Sequence, residues 1–192
     1  MEIQSLREQI LQTDNAFSVV IADTPELVEM ACRLRYQVYC VERGFEPGSN
    51  GIETDEFDDR AQHVLLIHRQ SGDVIGTVRL VPPRSSDTAL PMQRVCRAGL
   101  LGHLPVRTTA EISRFALSKQ RRMSLGACAM ARLALMQGIV QASDMLGLTH
   151  WCAIMEPFLL RLLQMSAIHF TAVGDLVDYH GIRQPTFGEI ET

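Results

Sequence analysis

Glu111-Ile112-Ser113-Arg114 puts a carboxylate, a hydroxyl and a guanidinium on one β-prone run, which continues as Phe115-Ala116-Leu117-Ser118. Upstream, Gly76-Thr77-Val78-Arg79-Leu80-Val81 sets another arginine in the middle of an apolar, β-branched run. Further upstream lies the acidic stretch Glu53-Thr54-Asp55-Glu56-Phe57-Asp58-Asp59. Strands that face a core hold charged side chains only when these are paired. Arginines, a glutamate and aspartates at strand or strand-edge positions therefore imply a partly buried ion network. Such a network is either a structural staple or an active site, because both perturb the proton affinity of their members.

The elements that must position these residues are read from periodicity. Residues 2–12 predict a short amphipathic helix, and Phe17 to Ala22 a first strand. Asp23-Thr24-Pro25-Glu26 is a helix start, with Asp or Thr as the cap and Pro in the first turn. Leu27, Met30, Ala31, Leu34, Val38 and Val41 repeat at helical spacing, which carries that helix to about Glu42, where Gly44 can end it. Residues 44–60 form a long aperiodic loop. His63 to His68 and Val74 to Val81, joined through Gln70-Ser71-Gly72-Asp73, predict a β-hairpin. Residues 84–108 are irregular, with one short helix near 92–100. Next come a strand over Ala110 to Ser118, a helix over Met123 to Leu146, a strand over Thr149 to Met155, a helix over Pro157 to Met165 and a strand over Ile168 to Val173. The tail from Gly181 adds an edge strand. This order predicts one α/β domain over residues 1–192, with a mixed, twisted central sheet flanked by helices on both faces.

Composition narrows the function classes. The chain has 192 residues, 46% of them hydrophobic, enough for a well-buried core. A net charge of −4 argues against a nucleic-acid binder. Cys32, Cys40, Cys96, Cys128 and Cys152 are odd in number and form no C-x-x-C pair, so neither a zinc site nor a disulfide framework is indicated. Reduced thiols fit a cytoplasmic protein. The six histidines show no ligand spacing, so no metal is expected. His150 and Cys152 share a strand face at i and i+2 without implying a nucleophile pair. The polar start (Glu2, Gln4, Arg7, Glu8) does not read as a signal peptide. Arg132, Gln137, Gln141 and Asp144 interrupt the longest apolar stretch, which therefore reads as a buried helix and not a transmembrane segment.

The element order is similar to the GNAT N-acyltransferase fold, and the motifs sharpen the resemblance. Arg35-Tyr36-Gln37-Val38-Tyr39 and then Glu42-Arg43-Gly44-Phe45 resemble the opening motif of the acyl-homoserine-lactone (autoinducer) synthases. Asp55-Glu56-Phe57-Asp58 resembles their acidic motif, and Gly76-Thr77-Val78-Arg79-Leu80 and Glu111-Ile112-Ser113-Arg114-Phe115-Ala116 resemble the remaining two. Phe45 stands where those synthases usually carry a tryptophan. The pattern is also similar to the long-chain N-acyl amino acid synthases and to the acyltransferases associated with exosortase systems. The resemblance implies a bacterial, cytoplasmic acyltransferase with no tightly bound cofactor. It would move a medium- or long-chain fatty acyl group from the phosphopantetheine of acyl carrier protein, or from acyl-CoA, to the α-amine of an amino acid. Autoinducer synthesis from S-adenosylmethionine is one alternative; a non-catalytic acyl-carrier or lipid-binding module is another.

On this resemblance, catalysis falls to Glu111, Arg79 and Ala116. Glu111 is either the general base that takes the ammonium proton or a salt-bridge partner of Arg114 or Arg79. Arg79 either forks onto the acceptor's carboxylate or staples Asp55 or Asp58. The Ala116 backbone would stabilise the oxyanion. Arg35, Phe45, Asp55, Asp58, Ser113, Arg114, Phe115 and Leu117 would shape the substrate site, with Arg35 and Arg114 pairing with the acidic loop. Ser118, Lys119, Arg121, Arg122 and Gly126 would bind the pantetheine arm, its phosphate and the acidic carrier at a helix start; otherwise the basic run is a solvated turn. Met123, Met130, Met136, Met145, Met155 and Met165 would line an acyl-chain tunnel or are plain core.

Overall fold

The computed structural model describes residues 16–45, 50–84, 89–97, 99–102, 104–120 and 122–190. The expected helix over residues 2–12 lies outside them, as does Arg121. The strands are β1 (Phe17–Ile21), β2 (Gln62–His68), β3 (Val74–Val81), β4 (Thr109–Leu117), β5 (His150–Met155), β6 (Thr171–Ala172), β7 (Val177–Asp178) and β8 (Ile182–Glu189). The helices are α1 (Pro25–Arg35), α2 (Leu125–Met145) and α3 (Pro157–Met165). The sheet runs β1-β2-β3-β4-β5-β8-β6, with β7 on β8. β5 lies parallel to β4 and antiparallel to β8, in a mostly antiparallel sheet.

Residues fall into two compact units: one holds the chain up to Thr54, His63–Val78 and Arg114–Ile139, the other Asp55–Gln62, Arg79–Ser113 and Val140–Thr192. In the first, the Thr24 hydroxyl caps α1 by accepting the Leu27 N–H at 3.4 Å. The Glu26 carboxyl sits below the usual range because its own backbone N–H, and then the Thr24 hydroxyl, stabilise the anion. The helix does not stay α to Glu42. It becomes a π-helix over Tyr36–Glu42, with the Arg43 N–H on Val38 O at 3.1 Å, and Gly44 ends it at φ +63°. A π-turn absorbs an extra residue, which a 3.6-residue pattern does not register.

Leu34 of α1 and Val38 pack on Ala116 of β4. The next residue, Leu117, approaches Gly76 and Leu135 of α2. Successive strand residues point to opposite faces, so α1 and α2 cover opposite sides of β4. By length and composition alone α2 is long and apolar enough to cross a membrane. Its Ala131, Leu135, Ile139 and Ala142 instead form a stripe buried in the core. Gly138 sits in that stripe because a Cβ there would lie 2.4 Å from Val64 Cγ1.

In the second unit, Phe57, Val81, Leu90, Met92 and Cys152 form one core cluster. Trp151 stacks on Phe170 and donates its indole N–H to Ser143 Oγ at 2.8 Å. Three expectations fail here. The helix near 92–100 is a 3-10 turn at Pro91–Arg94. The strand over Ile168–Val173 shrinks to Thr171–Ala172. The tail is no edge strand: β8 pairs with β5 from His150↔Glu189 to Met155↔Gln184, and with β6 on its other side. Gly188 permits this, since a Cβ there would lie 2.8 Å from His169 O.

Candidate active site

Arg79 is fully buried on β3. Its Nη1 donates to Asp55 Oδ1 at 2.6 Å and to Asp58 Oδ1 at 2.8 Å, and its Nε donates to Ser113 Oγ at 3.1 Å. The acidic loop is braced for this. Asp58 Oδ2 accepts the Asp55 N–H at 2.7 Å, and Asp55 Oδ1 accepts the Phe57 N–H at 2.9 Å. The guanidiniums of Arg60, Arg79 and Arg94 stand over the Phe57 ring at 5.5, 6.0 and 4.8 Å. Arg79 is thus stapled to Asp55 and Asp58, yet its buried Nη2 has no hydrogen-bond partner among the described residues.

Glu111 is 3% exposed. The parallel ladder between β4 and β5 ends at Glu111↔Cys152, so the carboxylate stands at its last rung. Its Oε2 accepts the N–H of Met92, in the first turn of the 3-10 helix, at 2.7 Å. Burial, and then the charge on Glu111, push the Cys96 thiol up and the Cys152 thiol well up. A thiol so raised stays protonated at neutral pH. His150 Nδ1 engages Thr149 Oγ1 at 2.9 Å, and Cys152 Sγ contacts Ala110 O at 3.7 Å. Cys152 is therefore placed as a packed thiol, and not as a nucleophile.

The first unit holds a second ion cluster. Glu53 takes the buried Arg35 on Oε2 and Arg114 on Oε1, the latter at 3.0 Å. Sequence reasoning named both arginines but left Glu53 out of the site. Arg114 has φ +51° inside β4, a left-handed backbone that costs a non-glycine residue about 1–3 kcal/mol. Its guanidinium lies 5.7 Å from the Tyr39 ring centre. Tyr39 stacks on Phe45 at 6.5 Å, and the Arg43 guanidinium stands over Phe45 at 5.6 Å.

Past Arg114, Phe115 is half-buried and Ala116 buried. Ser118 Oγ donates to Glu42, and the Lys119 N–H donates to the same carboxylate, so both groups are engaged within the chain. Sequence reasoning missed Glu42, although it lies in the first motif. The Lys119 and Arg122 side chains are exposed. Ser124 Oγ accepts the Ala127 N–H at 3.2 Å at the start of α2, and a Cβ on Gly126 would meet Ser124 Oγ at 4.0 Å. Of the methionines, Met136 and Met155 are buried, while Met145 and Met165 project outward. Among the described residues no group of three or more His, Cys, Asp and Glu could hold a metal ion.

An acyl-homoserine-lactone synthase of Vibrio anguillarum is 25% identical over 148 residues, 74% of each chain. The fold is similar to the AHL synthase LasI, with a TM-score of 0.72 at 18% identity over 91% of this chain and 90% of that one. It is similar also to FeeM, an N-acyl amino acid synthase from uncultured soil microbes, with a TM-score of 0.68 at 17% identity over 91% and 90%. The acetyltransferase (GNAT) domain family matches residues 34–132, from the end of α1 through both ion clusters and β4 into α2. That segment carries Arg35, Glu53, Arg79, Glu111 and Arg114 together, and the chain belongs to the acetyltransferase (GNAT) domain family.

Proposed function

We propose that this acyltransferase moves a medium- or long-chain fatty acyl group from the phosphopantetheine thioester of acyl carrier protein to the α-amine of an amino acid. The observation that carries the proposal is the buried Glu111 carboxylate, oriented by the Met92 N–H at the last rung between β4 and β5. An amino acid arrives as an ammonium ion and needs a base before it can attack. Glu111 takes that proton, the amine nitrogen bonds to the thioester carbon, and a tetrahedral oxyanion forms. The Ala116 backbone N–H stabilises the oxyanion. The C–S bond then breaks: the proton on Glu111 passes to the departing thiolate, and the nitrogen gives up its second proton to Glu111, which releases it to solvent, leaving a neutral amide and a free thiol. No acyl-enzyme forms, in keeping with the protonated Cys152.

Arg79 Nη2 supplies an N–H for the acceptor's carboxylate, and Asp55, Asp58 and Ser113 hold that guanidinium in place. Arg35, Glu53 and Arg114 keep β4 and the aromatic pair in register. Phe45, Phe115 and Leu117 give apolar surface beside the acyl chain. Lys119, Arg121, Arg122 and Gly126 meet the donor's phosphate and the acidic carrier. An odd number of cysteines with no C-x-x-C pair suits a cytoplasmic setting.

A second reading, acyl-homoserine-lactone synthesis from S-adenosylmethionine, is supported by the relative from Vibrio anguillarum, which bears that name. Against it, Tyr39 and Phe45 each already hold a guanidinium, so a sulfonium there meets like charge. The test is mass spectrometry of products from purified protein supplied with decanoyl-carrier protein and either amino acids or S-adenosylmethionine. An N-acyl amino acid supports the first reading, and an acyl-homoserine lactone replaces it with the second. No acylated amine from the folded protein overturns both.

A further inference from the structure

Glu42 closes the π-helix, and its carboxylate gathers donors from the chain just past β4. Oε1 takes the Ser118 hydroxyl at 2.7 Å, and Oε2 takes the Lys119 backbone N–H at 3.0 Å. Gln37 donates to the same Oε1 at 3.5 Å. The Ser118 N–H donates to Ile75 O on β3 at 3.0 Å, and Ser118 Oγ accepts the Gln120 N–H at 3.1 Å. Residues 118–120 are thereby tied both to β3 and to the π-helix. One residue absorbed by a π-turn rotates the side chains beyond it by about 100°, so Glu42 does not stand where a continued α-helix would leave it. Bonds to a carboxylate are about twice as strong as neutral ones, which makes Glu42 the firm point of the tie.

We propose that Glu42 is a positioning residue for the acyl-thioester donor. It holds the end of β4 beside β3, so that the backbone of Phe115–Leu117 keeps a fixed course for the pantetheine arm. This rests on the acyl-transfer reading above. Glu42 touches neither reacting atoms nor the acceptor, so its loss shows in donor affinity.

The test uses the full chain with Glu42→Ala, Glu42→Asp and Glu42→Gln. Donor binding is read by calorimetry with the S-decyl thioether of phosphopantetheine, and kinetics with decanoyl-carrier protein. Glu42→Ala is expected to weaken thioether binding and raise donor KM about tenfold, with kcat and acceptor KM within about twofold. Glu42→Asp keeps the charge but loses reach, and gives the same loss. It serves in place of the alanine variant should that one fail to fold. Glu42→Gln still offers an oxygen to the Lys119 N–H, in a neutral bond, and restores part of the affinity. Folded variants that bind the thioether as tightly as the parent overturn the role of Glu42 alone, as does a change confined to kcat or acceptor KM. A parent that does not bind the thioether overturns the donor reading, and this inference with it.

Discussion

Glu53 and Glu111 are both buried carboxylates, and Glu53 sits at the centre of an ion cluster. Glu53 compensates two guanidiniums, one of them fully buried on Arg35. Removing its charge leaves uncompensated cations in a low-dielectric setting. Glu53→Gln is therefore expected to destabilise the fold by about 3–5 kcal/mol, read as a lowered urea midpoint. Glu111 is held by the neutral Met92 N–H, which a glutamine oxygen can also satisfy. Glu111→Gln is expected to fold with a nearly unchanged midpoint and to lower turnover at least about tenfold, since positioned bases contribute about 10²–10⁴. Unchanged kinetics in folded Glu111→Gln would remove that residue from the mechanism. Activity alone does not separate the two glutamates; stability and turnover measured together do.

At the scale of elements, α2 shows what close packing demands. Alanine is the better helix former by about 1 kcal/mol over glycine, so Gly138→Ala in an isolated helix would stabilise it. Here the new Cβ would lie 2.4 Å from Val64 Cγ1 and 2.7 Å from Val19 Cγ1, and valines are stiff at χ1. Overpacking wins, and Gly138→Ala is expected to cost about 1–3 kcal/mol net in chemical denaturation. A stabilised variant would show that α2 shifts away from β1 and β2 at little cost. The helices, the hairpin and β4 were legible in the sequence because each carries its own period and its own start or stop residue. The π-turn after Arg35 was not, because an apolar helical run reads the same in sequence whether its backbone bonds close over four residues or five. β8 was not recognised as an interior strand, because its pairing depends on β5, far away in sequence, and on the missing side chain of Gly188. In the site, the arginines and acids were legible from the oddity of charge inside β-prone runs. The staple of Arg79 to Asp55 or Asp58 was one of the two readings the sequence offered, and both aspartates take part. That Arg35 and Arg114 share Glu53 emerges only in three dimensions, since which acid of the loop meets which arginine is set by loop closure.

Across the whole molecule, charge and protonation are linked to folding through groups that no local pattern exposes. Cys152 and Cys96 lie near Glu111, and burial and then that negative charge raise both thiols. A raised thiol value means the native state keeps its proton at a pH where the unfolded chain has lost it. Stability from this source is complete below the ordinary thiol value of about 8.5 and falls as pH rises past it, because the unfolded chain then binds fewer protons. Well above that value the slope approaches about 1.4 kcal/mol per pH unit for each such thiol. Cys152→Ala removes one titrating group, at the cost of a small cavity that does not depend on pH. Urea denaturation of parent and variant from pH 7 to about 10 is therefore expected to show a constant gap up to about pH 8.5, narrowing above it as the parent loses stability faster. Parallel curves over the whole range would mean that the Cys152 thiol titrates equally in both states. Its protonation could then not be what denies the site a nucleophilic thiolate.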